Sequence, residues 1–190
     1  MWNTSTWEAT TLLPNLRRGV DGGGFAFSPD GSLLVTPMGT AKRAIVWKVP
    51  AGTTNAVLPM DRNTTGAVFS PDGTTVAVKA FWDIALFEVQ TWKPLGPLRG
   101  HENVIVAMAF APDGKTLASV GIDGSLRVWS VPVRAEVAVL YDHTDWVQTV
   151  AFTPDGRWLI TGSRDKTVKL RRIPSLAEIQ AADDAKPASR

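Results

Sequence analysis

The chain has 190 residues, 44% of them hydrophobic, with 20 Lys+Arg against 18 Asp+Glu and no cysteine. That is enough chain for one domain with a sizeable core, and it excludes a disordered polymer, a disulfide scaffold, thiolate metal sites and cysteine nucleophiles. The net charge of +2 is small and the basic residues are scattered, with only Arg17-Arg18, Lys42-Arg43 and Arg171-Arg172 adjacent, so no nucleic-acid partner is expected.

In chain order, MWNTSTWEATT has neither the basic nor the apolar segment of a secretory leader. No apolar run approaches the ~20 residues that span a bilayer, so a cytoplasmic location without a membrane partner is the expectation. Residues 8–13 read as an isolated strand. Gly22-Gly23-Gly24 then opens a weak first strand, because glycine packs nothing there. Pro29-Asp30-Gly31 is a turn, followed by strands at 33–36 and 44–47 around an irregular turn at 37–41. The next group starts at Thr65, turns at Pro71-Asp72-Gly73, and continues with strands at 75–79 and 84–89 around a shortened turn at 81–83. The third group is the most regular, with an apolar strand at 104–110, the turn Pro112-Asp113-Gly114, a strand at 115–120, and Asp123-Gly124 as a tight primed hairpin turn. Strands at 125–130 and 135–140 complete it. The fourth runs from Val147 through Pro154-Asp155-Gly156, with strands at 158–162 and 167–173. Residues 176–182 suit an outer strand or a short helix, and 183–190 a frayed terminus.

These groups are copies of one unit. Phe27, Phe69, Phe110 and Phe152 recur at spacings of 42, 41 and 42, each opening FSPDG, FSPDG, FAPDG or FTPDG. Val46-Trp47, Leu86-Phe87, Val128-Trp129 and Leu170-Arg171 mark the end of each third strand. A period of roughly 40–45 residues with four strands per unit is the signature of propeller blades.

Gly100-His101, the Pro-Asp-Gly turn, Ser119, Asp123 and Trp129 at these separations resemble a WD-repeat (WD-40 type) β-propeller blade, and the resemblance runs over essentially the whole chain. It departs from the pattern at Arg171, which stands where the family has Trp, and at Arg18 and Met60, which stand where it has His. The resemblance implies an all-β fold of about four four-stranded antiparallel blades, as an open arc or as part of a larger, seven- or eight-bladed propeller. One segment, 1–182, would hold the end of a preceding blade and an outer strand (1–13) and blades at 14–58, 59–98, 99–140 and 141–182. Closing four blades needs about 90° per blade, against about 51° for seven, so further blades or a second copy of the chain are expected to complete the ring.

The resemblance also implies a buried hydrogen-bonded network of His101, Ser119, Asp123 and Trp129, repeated more weakly by His143, Thr161 and Asp165. His, Ser and Asp are also the residue types of a catalytic triad. A catalytic serine, however, needs a strained exposed elbow and an oxyanion hole, and no G-x-S-x-G occurs. No catalytic residue, cofactor or metal site is expected, since the two histidines occupy equivalent positions and nothing has zinc-ligand spacing. The expected function is that of a non-catalytic scaffold binding protein partners through the rim formed by Glu102, Val104, Ile122, Thr144, Trp146 and Arg164, within a larger regulatory or signalling protein. Asp21, Asp61 and Asn63 would continue that rim, and the AFSPDG-like phrasing resembles bacterial members of the family. The alternative is a propeller enzyme or small-ligand binder using the central channel. It needs acidic or histidine side chains on the first strands, and 104–110 has none.

Overall fold

A computed structural model describes residues 24–173. Fifteen strands and no helix occur among them, arranged as three four-stranded sheets and one three-stranded sheet. The first sheet contains β1 (Ala26–Phe27), β2 (Leu33–Pro37), β3 (Arg43–Lys48) and β4 (Thr53–Pro59). The second contains β5 (Gly66–Phe69), β6 (Thr75–Ala80), β7 (Asp83–Glu88) and β8 (Pro94–Arg99), and the third β9 (Ile105–Phe110), β10 (Thr116–Gly121), β11 (Leu126–Ser130) and β12 (Ala135–Leu140). The fourth contains β13 (Val147–Phe152), β14 (Trp158–Ser163) and β15 (Val168–Arg172). Each sheet is an antiparallel meander in sequence order. The segments at 8–13 and 176–190 lie outside the described residues.

The repeated Pro-Asp-Gly phrase explains the first hairpin of every sheet. Gly31, Gly73, Gly114 and Gly156 all sit at φ between 67° and 72°, a region that costs glycine nothing. The aspartate before each glycine then folds back on the turn: Asp72 accepts from Ser70 Oγ at 2.5 Å and from the Thr74 amide at 3.0 Å. In the third sheet Asp113 accepts from the Lys115 and Thr116 amides. The turns also nest, with Pro29 over Gly73 and Pro112 over Gly156.

Both faces of an inner strand are apolar, so each sheet is stable only when sandwiched. Three buried clusters do this, one at each junction. Val35, Val46 and Leu58 meet Val76, Val78 and Phe87; Ile84, Leu86 and Leu98 meet Leu117 and Trp129; Val120 and Leu126 meet Val147 and Leu159. Each such side chain contributes roughly 1.5–3 kcal/mol of transfer free energy. The junctions are also pinned by polar links. The buried Thr64 hydroxyl donates to Arg43 O and accepts from the Met38 amide, and the Ile105 amide donates to Phe81 O, both across sheets. The row of sheets is not closed into a ring. Its two outer faces carry exposed apolar side chains: Phe27 and Val57 on the first sheet, Trp158, Val168 and Leu170 on the fourth.

Two turns differ from the sequence expectation. Asp123-Gly124 is not a two-residue primed turn. Only Gly124 has positive φ, and Val120 pairs with Leu126 across a wider loop, because the Asp123 side chain is drawn inward to His101 and Ser125. In the second sheet the turn is shorter than expected. Ala80 pairs with Asp83 around Phe81-Trp82 alone, with Phe81 at φ 61°.

Candidate functional site

The third sheet holds the polar group of greatest density. His101 enters on the loop after β8 and is buried, as are Ser119 on β10 and Trp129 on β11. His101 Nδ1 lies 2.7 Å from Asp123 Oδ2 and its Nε2 lies 2.7 Å from Ser119 Oγ, while Trp129 Nε1 donates to Ser119 Oγ at 2.8 Å. With the Nδ1 proton shared to Asp123, the Ser119 hydroxyl donates to Nε2 and accepts from the indole, so every member is satisfied. Ser125 completes the group, donating to Asp123 from both its amide, at 3.0 Å, and its hydroxyl, at 2.8 Å. Burial alone would raise the Asp123 carboxyl, yet the bonds and charge of His101 and the bonds of Ser125 hold it well below the usual carboxylate range.

The chemistry of this relay is closed. Ser119 is 0% exposed and its oxygen accepts from the indole, so an electrophile in solvent does not reach it. The group ties loop to sheet. Among the described residues no cluster of three or more His, Cys, Asp or Glu side chains is arranged to hold a metal ion.

The fourth sheet repeats the triangle without the indole. His143 Nδ1 lies 2.8 Å from Asp165 Oδ2, and its Nε2 lies 2.8 Å from Thr161 Oγ1. Thr167 holds Asp165 as Ser125 holds Asp123, and its hydroxyl is the main cause that keeps the Asp165 carboxyl below the usual range. Arg171 turns away and pairs with Asp142. The first sheet keeps only the opposite corner, Trp47 Nε1 donating to Thr36 Oγ1 at 2.7 Å. In the second sheet Asp83 instead meets Arg62 at 3.3 Å and Arg99 at 3.8 Å. The participation of Ser125 and Thr167 was readable from the sequence, since both stand two residues after the turn aspartate; so was the Thr36–Trp47 corner, since Thr36 stands nine residues after Phe27 as Ser119 stands nine after Phe110.

The networks position the rim. The amides of Glu102 and Thr144 donate to Asp123 and Asp165, which fixes the entering loops of the third and fourth sheets. Val104 and Ile122 join by their backbones, Ile122 N to Val104 O at 3.0 Å, and their side chains are half-buried. Glu102, Thr144, Trp146 and Arg164 are exposed. The Arg164 guanidinium lies 4.1 Å from the Trp146 ring centroid, and its amide donates to Trp146 O, so the two form one platform. A second Arg–Trp stack, Arg62 over Trp82 at 4.2 Å, occurs in the second sheet. Asp61 is exposed and Asn63 half-buried on the same loop, while Asp21 lies outside the described residues.

The profile described as WD domain, G-beta repeat matches residues 92–130 and 134–171. Coronin-7 of Mus musculus is 30% identical over 129 residues, which are 63% of this chain and 14% of that protein. The intraflagellar transport protein 122 homolog of Xenopus tropicalis is 34% identical over 62 residues, 33% of this chain and 5% of the relative. The periodic tryptophan protein 2 homolog of Neurospora crassa is 37% identical over 70 residues, 36% of this chain and 8% of the relative. The solved structure titled "Structure of U3-55K" matches with a TM-score of 0.71 at 25% identity, over 79% of this chain and 48% of that one. The chain thus spans 14% or less of these curated relatives.

Proposed function

Because the chain belongs to the WD-repeat β-propeller family, we propose that it is a non-catalytic scaffold that binds a protein partner through the rim of its third and fourth blades. The observation that carries this is the Trp146–Arg164 platform. It is a rigid aromatic and guanidinium surface with Trp146 37% exposed, of the kind over-represented in binding hot spots, and it is flanked by Glu102 and Thr144. Val104 and Ile122 stand at the equivalent positions of the third blade, joined by the same backbone bond. Fold alone names no partner. The test is affinity capture with the chain and its Trp146→Ala variant. Partners retained by the first and lost by the second are the expected result, and an unchanged set removes the rim from consideration.

Further blades, or a second copy, complete the ring in this proposal, which places the chain in a larger cytoplasmic regulatory or signalling assembly of bacterial type. Its support is the pair of bare end faces, whose apolar side chains resemble those buried at the three internal junctions. A measured solution mass of one chain, together with no binding of an apolar-surface dye, removes ring completion.

A further inference from the structure

The wedge between the outer strands of the first two blades is hollow, and one residue makes it so. At the position two before the end of the third strand's apolar pair, the first, third and fourth blades carry Ile45, Arg127 and Lys169. The second carries Ala85, opposite Pro97. In the third blade the long side chain fills its wedge: Arg127 is buried and reaches Glu136 and Tyr141. In the second, the missing side chain leaves a cavity of about 240 Å³ floored by Leu86 and Phe87 and walled by Met60, Trp92 and Pro94.

Its mouth is polar and lopsided. Arg62 already holds Asp83 at 3.3 Å, whereas Arg99 reaches the same carboxylate only at 3.8 Å and its side chain is 70% exposed. Arg99 therefore presents most of its donors to solvent. Asp61 also lines the groove, so an acidic group is accepted beside Arg99 and repelled beside Asp61. Strand addition is not the mode of entry here, because Pro94 and Pro97 remove amide donors from β8.

We propose that this inter-blade groove binds a linear peptide of a partner protein, inserting one bulky apolar side chain beside Ala85 and setting a neighbouring Asp or Glu side chain against Arg99. The groove is separate from the Trp146–Arg164 rim and stands whether or not that rim binds anything. Concave apolar sites with a few placed polar groups are where such anchors gain most of their affinity.

The test is selection of a peptide library, displayed with blocked C-termini, on the purified chain, followed by fluorescence anisotropy with the enriched peptide. The expected peptides carry an apolar residue next to an acidic one. Their affinity falls at least tenfold on Ala85→Arg, which fills the groove as Arg127 fills its own, and on Arg99→Glu, and it is unchanged on Trp146→Ala. Should Ala85→Arg fail to fold by its thermal melt, the exposed Arg99→Glu variant decides. No enrichment, enriched peptides without an acidic residue, or affinity untouched by Arg99→Glu overturns the proposal. Loss on Trp146→Ala alone also overturns it, by assigning the peptide to the rim.

Discussion

The third and fourth blades carry the same His–hydroxyl–Asp triangle, with paired distances that agree to within 0.1 Å, yet they differ in the residue set on its hydroxyl and in what covers the sheet. The third has an indole on its hydroxyl and a blade on each face. The fourth has Arg171 in place of the indole and, among the described residues, a blade on one face only. Leu126 and Val168 occupy equivalent positions, and the first is 5% exposed while the second is 75% exposed. The triangle is therefore a device internal to each blade that locks its loop, and burial is supplied from outside by the neighbouring blade. A propeller of this type is held by two separable terms, one local and polar, the other shared and apolar.

Substitutions at equivalent positions separate the two terms. The largest effect belongs to Trp129→Ala, which empties a 1%-exposed site in the junction with the second blade and also removes the donor to Ser119. A loss of about 3–5 kcal/mol is expected in urea denaturation. Arg171→Ala, at the matching position, gives up a surface ion pair and is expected to cost about 0–1 kcal/mol. Equal losses would break the contrast between the blades. Next comes Asp123→Ala, expected to cost about 1–3 kcal/mol because it strands His101 and Ser125 without their acceptor. Asp165→Ala is expected to cost less, since its triangle secures a blade that lacks the indole and is covered on one face.

A smaller effect follows from titration. The Asp123 carboxyl is held below its ordinary 3.8 in the folded chain, so beneath pH 3.8 the unfolded state binds more protons. The stability this group contributes is complete above that value and drains away as the pH falls. Asp123→Asn has no such proton to bind. The stability gap between the two proteins should therefore be wide at pH 7 and narrower at pH 3, by urea midpoints. An equal gap at both would mean that the carboxylate's charge is not what the triangle uses.

The blade unit was legible because its spacing is covalent: Phe27, Phe69, Phe110 and Phe152 keep their period whatever surrounds them, and each Pro-Asp-Gly makes its own turn. His101 and Asp123 were legible for the same reason, as corners of a pattern repeated by His143 and Asp165. What spacing could not show is what fills the space between blades. Ala85 is unremarkable in sequence, and only the facing Pro97 and the absent counterpart of Arg127 make it a cavity. The wide loop at Asp123-Gly124 was not legible, because dipeptide preference describes an isolated hairpin, whereas here the aspartate is pulled out of the turn by a histidine 22 residues away.

The finest test of the comparison runs the other way and tries to make the fourth blade resemble the third. Arg171 lies opposite Leu159, as Trp129 lies opposite Leu117, so an indole at 171 would sit over the same face and aim its N–H at Thr161. Thr161 Oγ1 has its bond to His143 and no indole donor, so Arg171→Trp adds about 0.5–1.5 kcal/mol of hydrogen bonding and gives up the ion pair to Asp142. The net expectation is a small gain in urea midpoint that disappears in the Thr161→Val background. A gain that survives Thr161→Val would come from ring packing alone, and the indole of the third blade would then have to be credited to burial and not to the network.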